Sequence, residues 1–502
     1  MTMTRSVVIS LLSAMLVWAA PGVGRAAPKR PAAEEKKKAK KRAKAKAEKK
    51  AKKKAKKVAK KKAKKLVPNP GQWHRYQGRI VKRIVITGLL RTRVWRLKHL
   101  LDTRVGRPFD AETLRHDVRR ILNLQLFRPV LARVDPEGKG VIVRIQTKDK
   151  WSLLPYFNMF FNLGSVSVIT GIYDVNTLGF LSYVDLQVML FSYLPVTSKS
   201  IRPGFLFVLQ VPRLGGLPFS YYLRARAQMT LRAHVAGLVQ PENQFQVDYF
   251  QVERYGGYHS LTWEPFQWFR VGVQQIIRYD RYKLVPGAEA LTVPLPGSGL
   301  THAYALTASL GYTRYRDYMQ HGLILGATLE GSSKALGSDS DHVRFYAQCR
   351  AYYSFGSKWG NLAARVGGGY MKGGDYSNLF TLGSWTGLRG FFTAQFTARS
   401  YVYGNLEYRT GLLRTGFPIA SIIPYFRGKV FQVQGAVFAD VGGVAGGGAY
   451  RTDEHGRPLV AIGAGIRIGV VNLYKAIGRI DFAYTLSPYR SFDLIIATQQ
   501  YF

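Results

Sequence analysis

The stretch Gly387-Leu388-Arg389-Gly390-Phe391, with the segment Arg399 to Arg409 (RSYVYGNLEYR) after it, decides how this chain is read. From Val402 onward, Val402, Gly404, Leu406 and Tyr408 alternate with Tyr403, Asn405, Glu407 and Arg409. One set is apolar or aromatic and the other carries polar and charged groups. Alternation at period two puts successive side chains on opposite faces of a strand. A strand with lipid on one side and water on the other needs that pattern. Leu388, Arg389, Gly390 and Phe391 lie in the loop just before it, and the inward-facing Glu407 is the expected ion partner for Arg389, which on the tetrapeptide alone would read equally as a surface arginine.

The same dyad pattern recurs from Trp151 to Phe502. Val184, Leu186, Val188 and Leu190 alternate with Asp185 and Gln187; Leu223, Ala225, Ala227 and Met229 alternate with Arg224, Arg226 and Gln228. Val343, Phe345, Ala347, Cys349 and Ala351 alternate with Arg344, Tyr346, Gln348 and Arg350. A soluble β-sandwich also alternates. Here, however, the polar face repeatedly sets arginines two apart, which a wet lumen tolerates and a packed core does not. Aromatics gather near segment ends, as interface girdles require. At about 22 residues per strand with its connections, the region holds about 16 strands. The fold class expected is a transmembrane β-barrel of about 16 antiparallel strands over residues 151–502, ending on Tyr501-Phe502.

The formal net charge of +45 is unevenly spread, because Glu34 to Lys65 holds 20 Lys or Arg against three acids. Such a tract buries no core, so residues 27–70 are expected to be a disordered Lys/Ala-rich linker. Its charge suits an anionic surface such as lipid headgroups, or serves only to solubilise. Ahead of it, Arg5, the apolar run Val7–Ala20 and the small residues near Gly24-Arg25-Ala26 read as a signal peptide over residues 1–26. An apolar run of about 14 residues is too short to span a bilayer as a helix. Export also sends the basic tract away from nucleic acid, which its charge alone would suit. The single cysteine, Cys349, allows no intrachain disulfide and no cysteine-based metal site.

Residues 77–149 read as one compact β-α-α-β-β unit. Ile80, Ile84 and Ile86 are expected on the buried face of the first strand, which Gly88 ends. Asp110 is an N-cap for a helix whose stripe is Leu114, Val118, Ile121 and Leu122. Strands at Val130–Val134 and Val141–Ile145 flank the turn Pro136–Gly140 and close the unit as a hairpin. This order, with Gly88, the Gly106 turn and Leu126-Phe127-Arg128-Pro129-Val130, resembles a polypeptide-transport-associated (POTRA) domain, a periplasmic α+β module.

A POTRA-like unit followed by such a barrel, with Leu388-Arg389-Gly390-Phe391 late in it, resembles the BamA/TamA superfamily of outer-membrane assembly proteins, the bacterial surface antigen family. Further matches are Gly171–Asn176, Asn405–Arg409, Phe438–Gly442, Gly463–Arg467 and Arg479–Asp481, in that order. The resemblance implies that the Arg389 loop folds into the lumen and meets Glu407 and Asp440. It implies that Tyr501 and Phe502 are the terminal-strand signal of outer-membrane barrels. It further implies a bacterial outer-membrane location, with the POTRA domain and the Lys-rich tract in the periplasm. The expected partners are outer-membrane lipid, unfolded outer-membrane client proteins, and periplasmic or lipoprotein partners.

Three barrel functions are open at this stage. The first is insertion of proteins or lipid-linked cargo through a lateral gate between first and last strands. The others are a secretion pore for a dedicated exported partner and an anion-favouring porin drawing on its lumen arginines. Catalysis is not expected: the chain has no Gly-x-Ser-x-Gly elbow, phosphate loop or His-Glu-x-x-His, and its nine histidines lack ligand spacing. No cofactor or metal is implied.

Overall fold

The computed structural model describes residues 68–162, 165–193, 202–239, 244–284, 294–316, 319–355, 360–384, 387–391, 395–416, 430–446, 456–470, 477–488 and 490–498. The signal reading of 1–26, nearly all of the linker reading of 27–70, and Tyr501 and Phe502 lie outside the described residues.

The N-terminal module comprises β1 (Val81–Thr87), α1 (Val94–His99), α2 (Ala111–Asn123), β2 (Phe127–Glu137) and β3 (Gly140–Asp149). Strand β3 is central, parallel to β1 and antiparallel to β2. The Asp110 carboxylate accepts the Thr113 amide at 2.7 Å and starts α2. Two expectations about the core are corrected here. Ile80 is exposed, and Val81 takes the buried place beside Ile84 and Ile86, because a bulge between Val81 and Arg83 shifts the alternation. Leu122 is also exposed. The buried face of α2 runs through Leu114, Asp117 and Ile121 instead, with the Asp117 carboxylate accepting the amides of Asp102 and Thr103 at 2.7 and 2.8 Å.

Sixteen strands then close into an antiparallel barrel. They are β4 (Leu153–Asn162), β5 (Ser165–Asp174), β6 (Tyr183–Tyr193), β7 (Arg202–Val211), β8 (Phe219–Val239) and β9 (Gln244–Phe266). Next come β10 (Phe269–Leu284), β11 (Gly299–Arg316), β12 (Met319–Ser332), β13 (His342–Ser354) and β14 (Asn361–Gly373). A small hairpin, β15 (Phe380–Leu382) and β16 (Phe396–Ala398), interrupts the circuit before β17 (Ser400–Gly416) and β18 (Val430–Ala445). The circuit finishes with β19 (Leu459–Val470), β20 (Ile477–Ser487) and β21 (Ser491–Thr498), and β21 pairs back to β4. Closure satisfies backbone groups that lipid cannot. Val402, Leu406, Phe345, Phe482 and Leu306 project from the outside, while Asp185, Asn405, Glu407, Arg409 and Asp481 are buried within.

The module is clasped to one rim of the barrel. The buried Arg96 of α1 donates to the carbonyls of Phe180 (2.7 Å), Arg213 (2.9 Å) and Pro212, on the β5–β6 and β7–β8 turns. Burial holds its pKa below the ordinary arginine value. Arg213 pairs with Asp102 at 3.0 Å, and Gln267 on the β9–β10 turn donates to the His116 carbonyl at 2.9 Å. Replacing Arg96 with Ala strands one buried and two partly buried carbonyls, a loss of about 2 kcal/mol or more. Hydrogen exchange on the full-length protein should then show the amides of the Phe180 and Arg213 turns exchanging at least ~10-fold faster. Unchanged protection would mean that the remaining contacts fix the module by themselves.

Candidate functional site

The β14–β17 connection turns back into the barrel. The amides of Gly387 and Leu388 both donate to the Gly383 carbonyl at 2.9 Å, which closes a tight turn ahead of Arg389. Leu382, Leu388, Phe391, Phe396 and Ala398 pack on Tyr403, Val444, Leu459 and Ala461 of the wall. Phe391 meets Phe396 edge-on, with centroids 5.6 Å apart. Gly390 has φ +87°, and a Cβ there would sit 2.9 Å from Thr485 Cγ2 and within 3.5 Å of Ala461 and Ala483. Only glycine fits that conformation at that approach. Asn405 donates to the Gly387 carbonyl at 2.6 Å and accepts from Arg365 Nε at 2.8 Å.

Arg389 is wholly buried. Its Nε and Nη2 donate to the two oxygens of Asp440, each at 2.8 Å, and its backbone amide donates to Asp440 Oδ2 at 2.9 Å. Nη1 donates to Glu407 Oε2, and the guanidinium lies 3.5 Å from the centroid of the Phe438 ring. The fork geometry of arginine suits this bidentate carboxylate, where a point charge would not. The structure therefore brings Leu388, Arg389, Gly390, Phe391, Glu407 and Asp440 into one site.

The sequence reading missed how far this site extends. Glu407 also accepts from Arg409 Nε at 2.6 Å and from Arg467 Nη2 at 3.2 Å. Arg467 pairs with Asp481, which lies 3.2 Å from Arg479. Asp493 of β21 is buried beyond them, in register with Ala483 of β20. Four guanidinia, of Arg389, Arg409, Arg467 and Arg479, thus meet three carboxylates, of Glu407, Asp440 and Asp481. Glycine makes the space, since a Cβ at Gly465 would stand 2.3 Å from Asp481 Oδ1. The available signal was the inward phase of Arg409, Arg467, Arg479 and Asp481 in their strands. Beside the site lies a polar cavity of about 610 Å³ whose lining includes Tyr222, Tyr258, Arg270, Gln274, Gln348 and Tyr403. No group of three or more His, Cys, Asp or Glu among the described residues is placed to hold a metal ion.

The Omp85 superfamily domain matches residues 239–492, half of the chain. The chain belongs to the Omp85 superfamily. The POTRA domain, described as a surface antigen variable number repeat, matches residues 80–148, so this Omp85 protein is an outer-membrane β-barrel preceded by a POTRA domain. Among solved structures it is similar to CdiB from Escherichia coli, at 11% identity and a TM-score of 0.57, over 84% of this chain and 76% of that one. It is also similar to CdiB from Acinetobacter baumannii, at 13% identity and a TM-score of 0.54, over 86% and 76%. For BamA from Haemophilus ducreyi lacking POTRA domains 1–3, the values are 12% identity and 0.49, over 84% of each chain. At these identities the likeness to the CdiB barrels is one of fold. No curated protein matches the chain.

Proposed function

We propose that this Omp85 barrel is a non-enzymatic assembly factor that inserts outer-membrane proteins or lipid-linked cargo by parting β4 from β21. The observation that carries the reading is the seam. Among the described residues only four pairs join these strands, from Asp493 opposite Asn162 to Ile496 opposite Met159. The other neighbours in the barrel share between 8 pairs, as in β20–β21, and 20, as in β8–β9. A short seam in lipid opens at the smallest loss of hydrogen bonds, and the freed edge can template a client strand. The Arg389 loop supports this reading by its position: Gly390 lies against Ala483 and Thr485 of β20, the strand beside the last.

Cysteines at Met159 and Ile496, which face each other in register, test it in a Cys349→Ser background. Their Cβ atoms should lie within disulfide reach. Oxidation is expected to abolish client assembly and growth complementation, and reduction to restore both. Full activity of the locked barrel would reject the lateral gate. A second reading, secretion of a dedicated partner through the lumen, draws on the polar cavity. On that reading the locked barrel keeps exporting.

A further inference from the structure

The apolar outer face of the barrel does not end at the rim where the POTRA domain is clasped. Leu153 of β4 and Ile172 of β5 are exposed on the outside, and Trp151 stands just below Leu153, 47% exposed. From there the surface passes to Leu178, at the tip of the β5–β6 turn and 73% exposed, and to Leu90 and Trp95 of the POTRA domain, 70% and 47% exposed. These residues are contiguous. The Arg91 guanidinium lies 5.5 Å from the centroid of the Trp151 ring, and Arg93 lies 4.7 Å from that of Phe180. Arg93 Nε donates to the Leu178 carbonyl at 3.4 Å, and the Trp95 ring meets Phe180 edge-on at 5.9 Å.

The patch is also held firmly in place. The Asp149 carboxylate accepts the amides of Leu90, Arg91 and Thr92 at 3.3, 2.9 and 2.6 Å, and the Arg93 amide donates to the Gly179 carbonyl at 3.0 Å. Leu178 is kept at φ 52°, a left-handed conformation that disfavours a leucine. Single exposed apolar residues need no explanation, whereas a contiguous and braced patch does.

We propose that Leu90, Trp95, Trp151 and Leu178 seat in the boundary between headgroups and acyl chains of the membrane leaflet on the POTRA side. The POTRA domain is thereby anchored to phospholipid beside the seam strand β4. Continuity with the lipid-facing surface of β4 and β5 names the occupant. Tryptophan favours that boundary, and Arg93 and Lys98 supply the charge that anionic headgroups attract, Arg91 being paired with Asp174 at 3.3 Å. The inference needs only that the barrel spans the membrane, so it stands whether or not β4 and β21 part.

Full-length protein carrying Cys349→Ser and Leu178→Cys, labelled with an environment-sensitive fluorophore, tests the anchor in vesicles of phosphatidylethanolamine and phosphatidylglycerol. Lys139→Cys is the reference, because it sits in the β2–β3 turn at the far end of β3 from Asp149. Brominated acyl chains are expected to quench the Leu178 label roughly two-fold and to leave the Lys139 label unchanged. The vesicles contain no other protein, so quenching identifies lipid. Equal, water-like behaviour of both labels overturns the proposal and assigns the patch to a protein partner. Should Leu178→Cys lose heat-modifiable folding, Leu90→Cys reads the same surface with the same two outcomes.

Discussion

Arg389→Ala is expected to leave the barrel in the membrane while releasing the lumen loop and removing most of the assembly activity proposed above. The guanidinium is fully buried and makes three donations to two carboxylates, and its backbone amide adds a fourth to Asp440. Truncation leaves Asp440 in a closed pocket with that amide as its remaining contact to the loop. Breaking a buried pair from one side costs about 3–5 kcal/mol. That shifts loop docking on the order of 100-fold or more. The barrel itself rests on sixteen strand pairings, none of which contains Arg389, so heat-modifiability should persist at a lower transition temperature. External protease should reach the loop between Gly387 and Phe391. Arg389→Lys should recover little, because an ammonium cannot bridge both oxygens of Asp440 and also reach Glu407. Combining Arg389→Ala with Asp440→Ala should harm less than the two losses added together, since the second change removes the stranded charge. Strict additivity would show that the two groups do not act on each other.

Strand alternation made the barrel legible, because lipid outside and water inside sort Val402, Leu406 and Tyr408 from Tyr403, Glu407 and Arg409 without any knowledge of tertiary contacts. Glu407 was legible from its inward phase on β17, whereas Asp440 and the inward fold of the loop followed only from the resemblance to the outer-membrane assembly proteins. The wider ion network was not legible. Arg467 reaches Glu407 from β19, across β18, only because Ala436 and Gly465 occupy one inward row and leave that space open. A sequence shows that a residue is small and does not show which side chain fills the gap. The module core fails for a related reason: a single bulge at Val81/Arg83 moved the buried phase from Ile80 to Val81, and a bulge has no compositional signature there.

The network makes Glu407 the more sensitive member, and Glu407→Gln is expected to do greater damage than Arg389→Ala. One carboxylate accepts from Arg389, Arg409 and Arg467, and all four side chains are buried. The amide keeps the shape and removes the charge, leaving four guanidinia facing Asp440 and Asp481 in a space that screens poorly. Its NH₂ group also presents donors where only acceptors are wanted. The strain then falls on β17 and β19, which make up the wall, and not only on a detachable loop. The heat-modifiable fraction recovered from membranes should therefore fall, where Arg389→Ala keeps it. Arg409→Met in the Glu407→Gln background removes one surplus cation while keeping most of the side-chain volume, and should restore part of that fraction. Glu407→Asp should sit between wild type and Glu407→Gln, because the charge remains but the shorter stem cannot reach all three arginines. If Glu407→Gln folded as fully as wild type, the arginines would be held by lumen water, and the role of Glu407 would shrink to its contact with Arg389.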